Sequence, residues 1–334
     1  MGLLVEGEWR DQWYDTDASG GEFVREDAGF RDWVTPDGEG APGGARAYPA
    51  AANRYHLYVS WACPWAHRTL ILRRLKGLDG LIGLSVVDAE MLEEGWQFSE
   101  RFPQNHDPLH GVDRLHKLYT RAKPDYTGRV TVPVLWDVER DAIVSNESAE
   151  IIRMFNGAFD ALTGNTLDFY PQALRDDIDD INAFVYDNIN NGVYRSGFAT
   201  TQHAYEKAWD ALFDALDEVE LRLGRSRYLV GNRLTEADWR LFTTLVRFDA
   251  VYVGHFKCNR NRIADFPNLS NYLRELYQYP GVAGTVNFDH IKTHYYYSHD
   301  MINPTRIVPK GPRLDLDAPH DRARLGEPEP LDRA

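Results

Sequence analysis

The chain has 334 residues, 43% hydrophobic and 26% charged, with a formal net charge of -14; this length suits two compact domains, and the composition excludes wholesale disorder. The acidic balance argues against nucleic acid as a partner, because phosphate binding needs a basic face, and no apolar run approaches the roughly 20 residues of a membrane span. The opening MGLLVEGEWRD lacks the basic and apolar regions of a secretory signal, and two cysteines, Cys63 and Cys258, cannot build a disulfide framework, so a reducing, cytoplasmic setting is expected.

Residues 1–46 are rich in Gly, Asp and Trp and show no sustained period, which predicts an N-terminal arm, either extended over the body or mobile. YHLYV (55–59) alternates and reads as a strand, the run after Pro64 keeps helical spacing as far as Gly77, and LIGLSVV (81–87) reads as a second strand. Residues 89–128 are polar and aromatic, too long for a simple connection, and are expected to be an insertion near the site. VTVPVLW (130–136) and AIVS (142–145) predict a hairpin, and Glu147–Phe155 a helix. β-α-β followed by β-β-α is a thioredoxin-like arrangement, assigned to 47–160.

From Asp176 the pattern turns helical, which assigns an all-helical domain to 170–300. HAYEKAWDALFDALDEVELRL (203–223) carries an apolar face and ends at Gly224. Thr235 followed by Asp238 before WRLFTTLVRF is a capping-box pattern, and Asn268–Tyr279 predicts a further helix ended by Pro280-Gly281. The tail, 301–334, is interrupted by prolines and is expected to be irregular. Lysines number 7 against 30 arginines; a salt-adapted acidic surface and a GC-rich genome both account for the bias.

Cys63 is the sharpest chemical feature. It stands where a strand gives way to a helix, with Pro64 suited to the first helical position. The unpaired amides of that turn and the helix dipole stabilise a thiolate, and His67 and Arg68 lie one turn along. A thiolate is the nucleophile of thiol–disulfide exchange. Ala66 occupies the place of a resolving cysteine, so an external thiol must complete any turnover. The bland reading of Cys63 is a small core residue. Cys258, in HFKCN, reads as structural, on a helical stretch. His290, His294 and His299 are spaced closely, but no cysteine or carboxylate cluster completes a metal site, and none is assigned.

YHLYVSWACPWAHR (55–68), TVPVLWD (131–137), IVSNESAEIIRMFN (143–156), NNGVYRSGFATTQ (190–202), LTEADWRLF (234–242), RFDAVYVGHFKCN (247–259) and NFDHIKTHYYYSH (287–299) resemble the glutathionyl-hydroquinone reductases, the Xi class of glutathione transferases, in order and spacing. The resemblance implies a thioredoxin-like domain followed by an all-helical glutathione-transferase domain, a homodimer, and glutathione as cosubstrate. It implies that Val132 and Pro133 pair with the cysteinyl part of the thiol. Glu147 and Ser148 would hold its γ-glutamyl group; the alternative meaning of Asn146-Glu147-Ser148, a glycosylation sequon, has no use in the cytoplasm. Arg129 and Trp96 would line the thiol as charge partner and apolar wall, although Trp96 by itself reads equally as core. Tyr194 and Tyr295 would face an aromatic substrate, Tyr295 being one of three tyrosines in a row with Tyr296 and Tyr297.

The implied reaction is reduction of an S-glutathionyl-hydroquinone through a mixed disulfide on Cys63, with Tyr194 and Tyr295 aiding protonation of the ring. Two other readings are an omega-like thiol transferase or dehydroascorbate reductase using the same cysteine, and a non-catalytic binder of quinols or conjugates. In a cell without glutathione, γ-glutamylcysteine would fit the same γ-glutamyl clamp.

Overall fold

The structure is a computed structural model that describes residues 2–333. Its strands, in chain order, are β1 (Leu3–Val5), β2 (Glu8–Arg10), β3 (Trp33–Thr35), β4 (Ala47–Pro49), β5 (Tyr55–Val59), β6 (Ile82–Val86), β7 (Gly128–Arg129), β8 (Val134–Asp137) and β9 (Ala142–Ser145). Its helices are α1 (Pro64–Leu75), α2 (His116–Ala122), α3 (Ser148–Gly157), α4 (Asp160–Thr163), α5 (Arg175–Val185), α6 (Gly192–Gly197), α7 (Gln202–Leu223), α8 (Glu236–Arg247), α9 (Pro267–Gln278) and α10 (Phe288–Ser298). Two compact units result. The first comprises the residues to Trp13, Glu26–Asn165 and Thr285–His299; the second comprises Tyr14–Arg25, Thr166–Gly284 and the residues from Asp300 onward.

In the first unit β5 pairs in parallel with β6 and antiparallel with β8, and β8 pairs with β9, giving the order β6-β5-β8-β9. A parallel pair needs a crossover, and α1 supplies it. Every residue of β5 is buried, as an inner strand requires. The 130–136 run becomes strand only at Val134, because Pro133 has no N–H for a ladder. The Val132–Pro133 peptide is cis, and the freed segment forms a corner beside the sheet.

The first 46 residues are not a loose arm. β1 pairs with both β2 and β7, β3 pairs with β4, and Phe30–Asp32 lies along β9, with Asp32 N donating to Val144 O at 2.9 Å and Asn146 N to Phe30 O at 3.1 Å. Three-residue strands carry no period, so their partners are invisible in the local sequence. The expected 89–128 insertion contains bends and turns and one helix, α2.

The second unit is helical. Thr201 caps α7, accepting from Ala204 N at 3.3 Å, and α7 buries Leu212, Phe213, Leu216, Val219 and Leu223. The Thr235/Asp238 capping box of α8 forms as expected. Asp238 also accepts from Leu229 N at 2.9 Å and Tyr272 OH at 2.7 Å, and complete burial pushes its carboxyl up to about 6. Among the described residues no helix is long and apolar enough to cross a membrane.

Two boundaries differ from the sequence expectation. Residues 285–299, assigned to the helical domain, group with the first unit, and Tyr14–Arg25 of the arm groups with the second. Periodicity identifies a helix but not the core that it joins. Among its described residues the tail is irregular apart from one short 3-10 turn and a bridge from Asp332 to Leu167, yet it is pinned. Arg322 is fully buried and donates to the carbonyls of Leu223 (2.7 Å), Ser226 (2.8 Å) and Arg227 (2.5 Å), the acceptors left open where α7 ends. Arg322→Met should therefore destabilise the protein by about 3 kcal/mol or more, since buried carbonyls lose their partners. Urea unfolding checks this, and a change near zero would contradict the pinning.

Candidate active site

Cys63 is the N-cap of α1, with φ -75° and ψ 122°, and Pro64 opens the helix. The cysteine is half-buried. Its Sγ lies 3.6 Å from the Val132 carbonyl oxygen, so the helix mouth and the Val132–Pro133 corner meet at the sulfur. The first-turn amides of α1 converge there and favour negative charge. Ala66, where a second thiol would stand, is fully buried. Cys258 contrasts in every respect. It lies in the second unit, just past a helical turn rather than on a helix, is wholly buried, and burial pushes its thiol well above the usual range.

His67 and Arg68, expected near the sulfur, are engaged by different parts of the unit. His67 is completely buried and its Nε2 meets the neutral hydroxyl of Thr285 at 2.8 Å, tying α1 to the segment that leads into α10. Arg68 lies under the Trp65 ring, 4.6 Å from its centroid, and its Nη1 reaches Ser148 Oγ at 3.4 Å. Arg68 thereby joins the start of α1 to the start of α3. Glu147 is the N-cap of α3, and its Oε1 accepts from Ala149 N at 2.9 Å. Ser148 is buried at the first helical position. A carboxylate, a hydroxyl and a helix N-terminus are thus gathered at one corner, a set that can receive both an ammonium and a carboxylate.

A buried phenol knits this corner to the other. Tyr119 OH donates to Thr131 O at 2.7 Å and accepts from Asn146 Nδ2 at 3.1 Å, while Asn146 Oδ1 accepts from Phe30 N at 3.0 Å. Residues 131–133 and 146–148 are held as one piece. Sequence reasoning missed Tyr119 and the structural role of Asn146; no local signal marks them, because each acts through partners far along the chain.

Trp96 is buried, with its ring stacked on His294 of α10 at 4.8 Å. His294 Nδ1 also meets Ala89 O at 3.0 Å, and Ser298 Oγ accepts from Met91 N at 2.9 Å. α10 therefore clamps the 89–98 segment. Tyr295 is 1% exposed and lies edge-on to His294 and His299, whereas Tyr296 and Tyr297 are half-buried. Among the described residues no group of three His, Cys, Asp or Glu side chains is arranged to hold a metal ion.

Arg129 has a different engagement from the one expected of it. Its Nη1 donates to Gln12 O at 2.5 Å and its Nη2 to Trp13 O at 3.2 Å, with Glu26 3.5 Å from Nε. Here it latches the arm to β7. Tyr194, on α6, belongs to the second unit. It is 8% exposed within an aromatic cluster of Phe23, Phe198, Tyr252 and Phe256, and Arg25 lies over its ring at 5.1 Å. The structure thus gathers Cys63, Val132, Pro133, Glu147 and Ser148 on the sheet side of the first unit, with Trp96 and Tyr295 packed through α10 in the same unit.

If Tyr119 holds both corners, Tyr119→Phe should weaken binding of glutathione, the thiol that the sequence resemblance implies, about tenfold, the order expected for a buried hydrogen-bonded hydroxyl. Titration calorimetry measures this, and unchanged affinity would contradict the bridge.

Comparison with known proteins places this geometry. Residues 62–158 match the family model for the glutathione S-transferase N-terminal domain and residues 202–275 that for the C-terminal domain. The chain is 57% identical to the glutathionyl-hydroquinone reductase YqjG of Escherichia coli, over 96% of this chain and 98% of that protein. The glutathione-bound structure of YqjG superposes with a TM-score of 0.88, covering 96% of this chain and 99% of that one. The glutathionyl-hydroquinone reductase PcpF of Sphingobium chlorophenolicum is 54% identical over 95% of this chain and 98% of its own length. A Xi-class glutathione transferase from Natrialba magadii superposes with a TM-score of 0.89 at 51% identity, covering 98% of each chain. The thioredoxin-like first unit and the helical second unit are those of a glutathione transferase, and the chain belongs to the glutathionyl-hydroquinone reductase family, the Xi class of glutathione transferases.

Proposed function

We propose that the protein reduces S-glutathionyl-hydroquinones to hydroquinones with glutathione, using Cys63 as nucleophile. The observation that carries this reading is the position of Sγ, at the open mouth of α1 and 3.6 Å from the Val132 carbonyl, in a chain whose relatives YqjG and PcpF bear that activity in their names. The Val132–Pro133 corner would pair with the cysteinyl backbone of the thiol as an added strand does. Glu147 would take the γ-glutamyl ammonium, and Ser148 with the first amides of α3 its carboxylate. Trp96 serves as the apolar wall.

In the first step the Cys63 thiolate attacks the conjugate's sulfur. The S–S bond forms as the sulfur–carbon bond breaks, and the ring carbon leaves with the electron pair and takes a proton, aided by Tyr194 and Tyr295. In the second step a glutathione thiolate attacks the mixed disulfide, releasing glutathione disulfide and restoring the Cys63 thiolate. The ring carbon gains two electrons, one from the sulfur of the conjugate and one from the sulfur of the incoming glutathione, so the electrons balance without a further reductant. Ala66 explains the need for the second thiol, since no internal cysteine can resolve the disulfide.

The γ-glutamyl corner would serve γ-glutamylcysteine as well as glutathione. Arg129, which the resemblance makes a charge partner of the thiol, would matter less to γ-glutamylcysteine, which has no glycine carboxylate. The two free cysteines, Cys63 and Cys258, suit the cytoplasm, and a homodimer follows the pattern of the class. The abundant acid side chains, 51 Asp and Glu against 37 Lys and Arg, would keep its surface negative.

The test incubates purified protein with S-glutathionyl-hydroquinone and either glutathione or γ-glutamylcysteine, and follows hydroquinone by chromatography. The expected result is ping-pong kinetics, with activity lost in both Cys63→Ala and Cys63→Ser, since serine cannot form a mixed disulfide. Disulfide exchange without hydroquinone release would instead indicate a thiol transferase. Tight binding retained in Cys63→Ala together with an inactive wild type would indicate a binder.

A further inference from the structure

Trp9, in the middle of β2, is a half-buried indole to which the reaction above gives no part. In the β1–β2 ladder it stands opposite Leu4, and Leu4 is paired in turn with Gly128 of β7. β7 leads into the Thr131–Pro133 corner, so the small sheet of the arm is fixed to the backbone that would pair with the thiol. From that sheet the indole reaches the 92–95 turn. Its Nε1 donates to Glu93 O at 2.9 Å. Its ring lies against Gly95, where a Cβ would come 2.7 Å from Cη2. Gly95 also has φ +73°, so glycine is required here by conformation and by close approach. The ring is stacked on His116 of α2, with centroids 4.8 Å apart and 17° between the planes.

The residue after Gly95 is Trp96, and its backbone is anchored to the same two pieces that the indole touches. The turn before it is closed by Gly95 N donating to Leu92 O at 2.9 Å. The carbonyl of Trp96 accepts from Leu115 N at 2.9 Å, and Leu115 immediately precedes His116. Trp9 thus bridges the turn and the start of α2, with Trp96 between them and its ring stacked on His294 of α10. Every residue in this chain of contacts belongs to the first unit. A wall that is already in place when the ligand arrives spares binding the cost of ordering it.

We propose that Trp9 is a positioning residue for thiol binding: by clamping the 92–95 turn it sets Trp96 against the glutathionyl group, so the arm tunes affinity and not the chemical step. This rests on the reading of Trp96 as the apolar wall of the thiol. A wall contributes equally before and during bond exchange at sulfur, so its loss raises KM and leaves kcat in place.

The test compares the wild type, Trp9→Leu, Trp9→Phe, Trp96→Leu and the double variant Trp9→Leu with Trp96→Leu. KM and kcat are measured for S-glutathionyl-hydroquinone at saturating glutathione. The Kd for glutathione is measured by titration calorimetry with Cys63→Ser added to each chain, which prevents a disulfide from forming. The expected result is that Trp9→Leu raises KM and Kd together about fivefold with kcat at the wild-type value. Trp9→Phe, which keeps a ring for His116 and loses the donor to Glu93, falls between, and it carries the test if Trp9→Leu does not fold. In the double variant Trp9→Leu adds nothing to the loss from Trp96→Leu, because the first residue acts only through the second. Unmoved KM and Kd in the Trp9 variants would overturn the proposal. So would a kcat that falls in step with the rise in KM, the mark of a loosened unit, or additive losses in the double variant, the mark of another route. Wild-type affinity in Trp96→Leu would refute the wall, and the proposal with it. A wild type that turns over no conjugate while the calorimetric cycle stays non-additive would overturn the reductase reading and leave the placement by Trp9 standing.

Discussion

The contact between Cys63 Sγ and the Val132 carbonyl joins the two parts of the first unit that the proposed chemistry needs together. One is a helix mouth that favours negative charge on sulfur. The other is a stretch of backbone released from the sheet because Pro133 cannot donate to a ladder. Neither suffices alone. A thiolate with no edge beside it would meet thiols without orienting them, and a bare edge would bind a peptide without reacting. The pairing of β5 with both β6 and β8 sets their separation, since the loop into α1 leaves β5 and the corner leads into β8.

The surrounding structure rigidifies this junction from three directions. Arg68 ties the start of α1 to the start of α3, Tyr119 ties the 131–133 corner to Asn146, and His67 ties α1 to Thr285 ahead of α10. All three are buried side chains. Such groups hold geometry well because breaking one bond leaves a desolvated partner behind. The arm contributes from outside, with Phe30 bonded to Asn146 and Arg129 gripping Gln12 and Trp13. The long N-terminal extension is thus part of the site's support.

What the sequence made legible were features with local signatures. YHLYV, the Cys63-Pro64 boundary, Gly77 (φ +68°) just beyond α1, and the Thr235/Asp238 box all appear where spacing and capping chemistry put them. Glu147 proved to be the cap of α3 rather than its first residue, a shift of one position. Features that depend on distant partners were not legible. The strands of the first 46 residues are too short to show a period, and the membership of α10 in the first unit is decided by His294 against Trp96 and Ser298 against Met91. Arg129 was legible as a cation near the site, but its acceptors lie more than a hundred residues away. Arg25 carried no signal, since only the folded arm brings it to Tyr194.

The central claim is that one sulfur takes the glutathionyl group from the substrate. A single-turnover experiment tests it directly: enzyme in excess over S-glutathionyl-hydroquinone, no second thiol present, with released hydroquinone and protein mass followed together. The account predicts one hydroquinone released for each glutathione found attached to Cys63, with Cys258 unmodified. Hydroquinone release with no adduct on Cys63, or an adduct on Cys258 alone, would contradict it.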